Sequence, residues 1–456
     1  MSKSYSLRRA AYQAVRGYAE KGWQVGTSIS RAKNSLGMAD RDVAMATDIA
    51  EATIRHMSSL DAVLTAYCNR ERHKVEKELW SLAQVGVAQL MLRPDVPAHA
   101  SVGETVGVAK EVDKEGWTGF LNGLLRSIER GLTFTAEFSE TDRAAFLSGP
   151  GEEDSPHAWC RFDRSVVDLL ADRSEWASRA YGLPRWLVRR WLDREFEIPH
   201  ERVMRACNRP PAMWLRVNPM RGSRGEIVAA LGGAEPGELD ESVKLPQAVP
   251  LASVPGFADG TCSVQDVTAM LAVDLLDPQE GESVLDFCAA PGGKTGHIAE
   301  RMAGTGSVLA CDVSEHRLSR VNSNVERLEL TNVETRLIER DGSRDPAGPF
   351  DAALVDAPCS NTGVLAKRPE ARWRVKPTDM EELPELQLQL VNRAAKTVRP
   401  GGRLVYSTCS IEPEENEAVV ARFLRETGGW RLVEDELTLP ATDRDGGYRA
   451  LLFRGT

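Results

Sequence analysis

The chain after residue 260 alternates short apolar segments with amphipathic ones, and this alternation restricts the possible fold more than any other feature. Strands are expected at residues 283–286, 307–312, 333–338, 352–355, 403–406 and 448–453. Helices are expected in three of the intervals, at 293–302, 314–328 and 384–398. Strands that alternate with helices predict a parallel, doubly wound sheet, so we expect an α/β Rossmann-like domain.

Reactive residues follow two of these strands in similar settings. Cys359 lies in Asp356-Ala357-Pro358-Cys359-Ser360, and Cys409 lies in Tyr406-Ser407-Thr408-Cys409-Ser410. The carboxyl ends of parallel strands form the edge at which open α/β sheets bind their ligands. Two thiols at that edge predict covalent chemistry on an electrophilic substrate.

A glycine-rich turn, Asp286–Thr295, follows the first strand of this domain, and the second strand ends at Asp312. A carboxylate at that point can accept hydrogen bonds from both hydroxyls of a ribose, as in dinucleotide folds. The turn has neither the G-x-G-x-x-G pattern nor the spacing of a phosphate-binding P-loop. S-adenosylmethionine, which carries adenosine but no phosphate, therefore fits better than NAD. The alternative is that Asp312 only caps the following helix.

Composition changes along the chain predict three domains. Apolar residues at helical spacing indicate an all-α domain over 1–135, and Pro94 and Pro97 end one of its helices. Residues 147–156 are polar and rich in glycine and proline, typical of a linker or a long loop. A small α/β module is expected over 157–245, and the Rossmann-like domain over 246–456.

The charge distribution leaves two interpretations open for the middle of the chain. The net charge is −10, but residues 161–225 contain 14 arginines, no lysine and 8 acidic residues. Arginines interleaved with Trp176, Trp186, Trp191 and Trp214 are compatible with RNA binding. A helical region with a solvated basic face explains the same pattern.

The remaining composition narrows the class of protein. No apolar run is long enough to span a membrane, the N-terminus lacks the apolar core of a signal peptide, and we expect a cytoplasmic protein. Eight scattered cysteines without a C-x-x-C pair do not predict a metal site. Cys288 and Cys311 are expected to be packing residues, and nothing requires more than a monomer.

Taken together, these motifs resemble the RNA 5-methylcytosine methyltransferases of the Sun/NOL1/NOP2 class. The resemblance also includes Cys262–Asp266, Leu215–Asn218, Asn361–Leu365 with the following Arg368–Trp373, and Glu412–Glu417. Residues 95–104 and 119–126 resemble a NusB-like RNA-binding domain. This layout is similar to that of bacterial 16S rRNA (cytosine-5)-methyltransferases. One departure is Asp445-Gly446-Gly447-Tyr448, where the family has two aromatic residues after D-G.

The resemblance implies a role for each site residue. Cys409 would be the nucleophile that adds to C6 of cytosine, Cys359 would help to release the product, and Asp356 would contact the base or the cofactor. Lys294 would stabilise the thiolate or hold the cofactor, and Asp341 would end the third strand and face the adenine. Contacts with S-adenosylmethionine would come from Cys288, Ala289, Ala290, Pro291, Gly292, Gly293, Lys294, Asp312, Arg317, Asp341 and Asp356.

Two further functions compete with the RNA methyltransferase. A ribosome-assembly or antitermination factor with an inert catalytic domain would have the same layout, but the intact Cys359 and Cys409 oppose it. A nicotinamide oxidoreductase is disfavoured because the dinucleotide fingerprint is missing. The RNA could be rRNA or tRNA, and small-subunit rRNA is the expected substrate.

Overall fold

The computed structural model describes residues 4–153, 155–168, 170–209, 212–245 and 249–456. The chain forms two compact units. The first comprises residues 1–209 together with 368–374, and the second comprises residues 210–367 and 375–456. Asp154, in the expected linker or loop, and residue 246, the expected start of the last domain, lie outside the described residues.

Helices form the beginning of the first unit. They are α1 (Ser4–Lys21), α2 (Val25–Leu36), α3 (Asp40–Arg55), α4 (Met57–Tyr67), α5 (Lys77–Leu92), α6 (Ala98–Glu111) and α7 (Thr118–Gly131). The apolar residues at helical spacing are buried, among them Leu7, Ala10, Ala14 and Val15. Helix α5 ends before Pro94, as expected. Helix α6 begins directly after Pro97, which is its N-cap.

A small antiparallel sheet follows these helices. It contains β1 (Leu132–Thr135), β2 (Phe146–Ser148) and β3 (Trp159–Phe162), in the order β1-β3-β2. The region expected to be all-α to residue 135 thus ends in a strand, which pairs with β3 far along the chain. Of the predicted linker or loop, residues 147–148 complete β2 and the rest connects β2 to β3. Three helices complete the unit, α8 (Arg173–Tyr181), α9 (Arg185–Leu192) and α10 (His200–Ala206).

The tryptophans of the arginine-rich segment are mostly packing residues. Trp176 and Trp191 are buried in the first unit, and Trp214 is buried in the second. The guanidinium of Arg205 is itself buried and lies over the ring of Trp159. The interpretation that these aromatic rings stack on RNA bases is therefore wrong for these three tryptophans. Arg189 remains exposed on α9.

The segment 368–374 belongs to the first unit although it follows Cys359 closely in sequence. It contains a short helix, Ala371–Arg374. Arg372 is fully buried and donates to the carbonyls of Arg55, Gly182 and Cys207 and to the side-chain oxygen of Asn208. The indole of Trp373 donates to the carbonyl of Ile54 at 2.7 Å. These contacts explain why the sequence carries Arg372-Trp373 in an otherwise polar loop.

The second unit begins with a small α/β module, but residues 157–209, which were expected to belong to that module, lie in the first unit. The sheet of the module contains β4 (Met213–Val217), β5 (Glu235–Pro236), β6 (Ser242–Leu245) and β7 (Cys262–Val264), in the order β5-β6-β4-β7. All its pairs are antiparallel. Helix α11 (Arg224–Ala230) starts in a capping box in which Ser223 and Glu226 bond each other's backbone.

A seven-stranded sheet forms the rest of the second unit. Its strands are β8 (Ser283–Asp286), β9 (Ser307–Asp312), β10 (Val333–Leu337), β11 (Phe350–Asp356), β12 (Val398–Thr408), β13 (Trp430–Thr438) and β14 (Gly447–Arg454). Their order is β10-β9-β8-β11-β12-β14-β13. The helices are α12 (Val267–Leu276), α13 (Gly293–Arg301), α14 (Glu315–Arg327), α15 (Asp379–Thr397) and α16 (Glu417–Glu426).

Apolar residues cover both faces of this sheet, as a doubly wound fold requires. On one face Val284 and Leu354 pack with residues of α12 and α13. On the other face Leu285 and Val355 pack with residues of α15 and α16. Because neighbouring residues of a strand point to opposite faces, each apolar run contributes to both layers.

The sheet differs from the prediction at one side. The expected all-parallel arrangement holds for β8 to β12, but β14 runs antiparallel to β12 and β13 antiparallel to β14. Strand β13 is charged and exposed at the edge of the sheet. Its sequence therefore has no apolar run that would predict a strand. Helix α15 begins at Asp379 rather than at the expected Pro384, which lies inside the helix.

No helix among the described residues is both long enough and apolar enough to cross a membrane. The same residues contain no group of three or more His, Cys, Asp or Glu side chains that could hold a metal ion.

Candidate active site

The strand order brings the sequence motifs to one edge of the sheet. Strand β8 lies between β9 and β11, and β12 lies on the other side of β11. All four strands are parallel, so their carboxyl ends meet at the same edge. The order reverses next to β8, which is where open α/β sheets bind ligands.

The turn after β8 packs closely against α14. Gly292 has φ of 99°, and a Cβ there would lie 3.1 Å from the Cα of Val321. Thr295 donates to Oδ2 of Asp286 at 2.7 Å, whereas the buried Oδ1 has no hydrogen-bond partner. Burial raises the pKa of Asp286 to about 7. A buried carboxylate oxygen without a donor fits a ligand that brings an ammonium group.

Residues 288–291 form the backbone of this turn. Ala289 and Ala290 are buried, and the carbonyl of Ala290 accepts a hydrogen bond from Arg317 at 2.8 Å. The carbonyl of Pro291 accepts from Asn324 at 2.9 Å. Cys288 lies in the turn, two residues beyond the end of β8. Burial raises the pKa of its thiol, consistent with an unreactive packing residue.

Asp312 ends β9 and is buried. Its Oδ1 accepts from the backbone of Ser314 at 3.0 Å, and Ser314 is the N-cap of α14. Its Oδ2 lies 3.4 Å from a guanidinium nitrogen of Arg317. The side chain thus supports the start of α14 and holds Arg317 against the turn. A capping role and a role toward a ribose remain compatible, because a carboxylate has about four lone-pair positions.

Asp341 does not end the third strand, contrary to the expectation. Strand β10 ends at Leu337, and Asp341 lies in the following turn, where it is exposed. Its carboxylate accepts from the backbone of Ser343 at 2.9 Å, which holds the pKa of Asp341 below its usual range. The sequence did not predict the position of Asp341, because β10 ends one residue before the expected end at residue 338 and a turn follows it.

Lys294 and Asp356 form an ion pair beside the two cysteines. Nζ of Lys294 lies 2.7 Å from Oδ2 of Asp356, and the other carboxylate oxygen accepts from Ser407 at 3.0 Å. Burial lowers the pKa of Lys294, but the charge of Asp356 and its hydrogen bond outweigh this, and the charge of Cys409 adds to the increase. Lys294 therefore remains cationic within the electrostatic reach of Cys409.

The two cysteines predicted as a pair are in contact. Sγ of Cys359 lies 3.2 Å from Sγ of Cys409, and both side chains are half-buried. The hydrogen bond with Cys409, followed by burial, raises the pKa of the Cys359 thiol well above its usual range. Cys359 is therefore held as a thiol, and either sulfur could be the donor in the contact between the two.

A buried polar network beneath the cysteines positions both loops. Glu415 accepts from the backbone of Ser360 at 2.8 Å and from the hydroxyl of Ser410 at 2.7 Å. Gln387 donates to Glu415 and to the carbonyl of Pro358. Glu415 is fully buried, and burial raises its pKa. Glu415 was noted in the sequence only as one residue of Glu412–Glu417, without a role of its own.

Arg216 is a second residue whose importance the sequence did not reveal. It lies on β4 and is buried against Glu300 of α13 with Nε to Oε2 at 2.8 Å. It also donates to the carbonyl of Gly293 at 2.8 Å and to the side chain of Gln265. An arginine expected in an RNA-binding element therefore supports the glycine-rich turn instead.

The departure at Gly447 has a local explanation. Gly447 starts β14, and a Cβ there would lie 2.7 Å from the carbonyl of Thr408. Tyr448 is buried, its ring lies 6.4 Å from that of Tyr406, and its hydroxyl donates to Asp435 at 2.6 Å. This end of the sheet packs closely next to Cys409 with a single aromatic residue.

Models of three protein families match successive parts of the chain. The NusB family matches residues 6–130, the ferredoxin-like domain of RsmF/B-like methyltransferases matches residues 183–254, and the 16S rRNA methyltransferase RsmB/F family matches residues 273–448. The first match lies within α1 to α7, the second runs from just before α9 to beyond β6, and the third begins within α12 and ends within β14.

Solved structures support the fold. The crystal structure of PH0851 covers 99% of both chains with a TM-score of 0.76 at 23% identity. A structure of NSun6 from Pyrococcus horikoshii with SFG covers 56% of this chain and 94% of that chain, with a TM-score of 0.52 at 21% identity. At these identities the two structures establish similarity of fold alone.

Curated relatives extend over the whole chain. Ribosomal RNA small subunit methyltransferase B of Klebsiella pneumoniae subsp. pneumoniae is 34% identical over 437 residues, which is 94% of this chain and 91% of that protein. The protein of the same name from Salmonella arizonae is 33% identical over 473 residues and covers all of both chains. The chain therefore belongs to the RsmB/F family of 16S rRNA methyltransferases.

Proposed function

We propose that this protein transfers a methyl group from S-adenosylmethionine to C5 of a cytosine in RNA, with 16S rRNA as the substrate. The observation that carries the proposal is the 3.2 Å contact between the sulfurs of Cys359 and Cys409 at the carboxyl edge of the sheet. Membership of the family, whose curated relatives are named for small-subunit rRNA, supports the choice of RNA. The alternative, a binding factor with an inert domain, gives no reason to keep two thiols in contact.

The residues of the glycine-rich turn fit the cofactor. The backbone of residues 288–294 would contact its methionine part, and Oδ1 of Asp286, which lacks a donor, would accept from its ammonium group. Asp312 would accept from the ribose hydroxyls, while Arg317 holds the turn through Ala290. When bound, the cofactor supplies an electrophilic methyl group.

Cytosine C5 is a poor nucleophile until a group adds to C6. We propose that Cys409 Sγ forms the bond to C6, so that the C5–C6 double bond opens and C5 gains carbanion character. Lys294, held by Asp356, supplies positive charge that favours the thiolate. The thiol of Cys359 donates a hydrogen bond to the same sulfur and adds to this effect.

The second thiol then changes its role. In the resting protein the contact with Cys409 is the largest cause of the raised pKa of Cys359. Once Cys409 is bound to C6 as a thioether, its sulfur is a weaker hydrogen-bond acceptor and can carry no charge, so Cys359 holds its own proton less tightly. Cys359 then releases that proton to solvent, and its thiolate takes the proton from C5. The C5–C6 double bond forms again, and Cys409 leaves C6 as a thiolate.

The proposal is tested by incubating the full chain with labelled S-adenosylmethionine and, in separate reactions, 16S rRNA or tRNA. Nucleoside analysis should find the label in 5-methylcytidine, and bisulfite mapping of rRNA from cells that lack the gene should show one missing position. A label in any other nucleoside, or transfer to tRNA alone, would contradict the proposal.

A further inference from the structure

Asn361 contacts the proposed nucleophile directly, and no sequence motif assigned it a role. Its Oδ1 lies 3.3 Å from Sγ of Cys409, which donates to it. Its Nδ2 donates to the carbonyl of Cys359 at 2.7 Å. Because a carbonyl can only accept, the amide nitrogen must face Cys359, and the amide oxygen therefore faces the sulfur of Cys409.

The backbone fixes this side chain in place. Asn361 has φ of 64°, in the left-handed region that asparagine adopts more readily than most residues. Two residues later, the backbone of Gly363 donates to the carbonyl of Cys409 at 3.0 Å. The loop after Cys359 thus contacts Cys409 through both its backbone and the Asn361 side chain.

An amide oxygen stabilises a thiol but not a thiolate, because it accepts a proton and cannot donate one. Lys294 has the opposite effect, because its positive charge favours the thiolate of Cys409. A sulfur held as a thiol is less reactive toward alkylating and oxidising agents than a thiolate.

We propose that Asn361 holds Cys409 as a hydrogen-bond-donating thiol and so keeps the nucleophile at rest until the RNA base enters. This inference rests on the proposed function, because it assigns Asn361 to the nucleophile named there. Activation then requires Cys409 to release its proton to solvent and so to lose its hydrogen bond to Asn361, which couples the start of the reaction to a change at Asn361.

The test is the rate at which iodoacetamide alkylates Cys409 in the full chain without RNA, followed from pH 6 to 10 by mass spectrometry of its peptide. Glycine keeps the left-handed backbone, so Asn361→Gly removes only the amide. This variant should lower the pH at which the alkylation rate of Cys409 reaches half its maximum. At pH 7 alkylation should be about three- to tenfold faster, as expected for loss of one hydrogen bond from the thiol. Asn361→Asp places a carboxylate there and should raise the midpoint and slow alkylation.

Because Asn361→Gly should lower the alkylation midpoint and Asn361→Asp should raise it, the two variants distinguish this role from a general opening of the site. A structural effect of either substitution would move both variants the same way, and that result, or two unchanged midpoints, would overturn the inference. Asp277, also in the left-handed region with φ of 48°, provides the control Asp277→Gly, which should leave the midpoint unchanged.

The alkylation result does not depend on methyl transfer. If Cys409→Ala still methylates RNA while the Asn361 variants shift as expected, the proposed nucleophile is wrong but the action of Asn361 on the thiol is supported. If Cys409→Ala is inactive and the Asn361 variants do not shift, the proposed function stands and this inference fails.

Discussion

Arg216 and Glu300 form a bidentate ion pair in which each side chain is only 1% exposed. Nε of Arg216 lies 2.8 Å from Oε2 of Glu300, and its second contact, to Oε1, is 3.0 Å. Because Arg216 also donates to the carbonyl of Gly293, the pair connects the small α/β module to the glycine-rich turn. The module therefore stabilises the cofactor site of its own unit.

Removing one partner of this pair should be costly. Arg216→Met leaves the Glu300 carboxylate buried without compensation, and we expect the second unit to lose about 3–5 kcal/mol of unfolding free energy. The double variant Arg216→Met/Glu300→Leu should recover much of that loss, since no charge remains buried. Urea unfolding measures both; a single variant within 1 kcal/mol of the parent would show that the pair contributes little.

Replacing either cysteine should block methylation at a different step of the reaction. Cys409→Ala should show neither methyl transfer nor a covalent intermediate. Cys359→Ala should still attack and methylate but fail to release, so a protein–RNA adduct should survive denaturing electrophoresis. The double variant should form no adduct because the trap needs the nucleophile. Normal turnover by Cys359→Ala, or an adduct with Cys409→Ala, would contradict the assigned roles.

Asp312 should contribute to cofactor affinity. If it accepts from both ribose hydroxyls, Asp312→Ala should weaken S-adenosylmethionine binding by about 10- to 100-fold, since a hydrogen bond to a charged group contributes ~1.5–3 kcal/mol. Calorimetric titration measures this, with NAD as a ligand that should not bind. Asp277→Ala, an exposed carboxylate after α12, is the control. An unchanged affinity would leave Asp312 as a helix-capping residue.

Binding to RNA should depend on salt through the arginines of α9. Replacing Arg189 and Arg190 with Ala should reduce the slope of log affinity against log salt by about 1.5 to 2, if each contacts one phosphate. The same substitution at Arg425 and Arg431, in the other unit, is the comparison. Filter binding at several salt concentrations gives the slopes. Equal slopes for the parent and the variant would show that Arg189 and Arg190 do not contact phosphate and lie on a solvated face.

Stability should depend on pH through Asp286. Burial raises its pKa to about 7 from an ordinary value of 3.8, so the folded protein keeps a proton that the unfolded chain releases near pH 4. The unfolding free energy of the parent should therefore decrease as pH rises from about 4 to 7, by about 4 kcal/mol at most from this group. Asn cannot titrate, so Asp286→Asn should gain stability relative to the parent across this window.

The control for this effect is Asp277→Asn, which should follow the parent at every pH. The same Asp286→Asn protein should bind S-adenosylmethionine more weakly, because it lacks the carboxylate oxygen that has no donor. Equal pH profiles for Asp286→Asn and the parent would show that the carboxyl is not held protonated by burial.

The core strands of the catalytic domain were predictable because their apolar runs are long and are bounded by turns. The runs at Ser283–Asp286 and Ser307–Asp312 have the predicted bounds. Strands β1 and β13 were missed for different reasons. Strand β1 depends on pairing with a distant strand, and β13 carries Glu434, Asp435 and Glu436 at an exposed edge.

The candidate site was predictable where residues follow strands directly. Parallel strands bring their ends together, so the proximity of Cys359 and Cys409 follows from the strand order. The partners Asn361 and Glu415 could not be identified, because their contacts depend on how loops turn. Arg216 was misleading because a buried arginine and an exposed one look alike in sequence.

The segment 368–374 limits how far the chain can be divided into modules. The backbone passes from one unit to the other after residue 209, and again on either side of this segment. A fragment that begins at residue 210 would keep Arg372 but lose the four acceptors that its guanidinium finds in Arg55, Gly182, Cys207 and Asn208. Truncation or gene fusion at residue 210 would therefore leave the guanidinium of Arg372 without these hydrogen-bond acceptors.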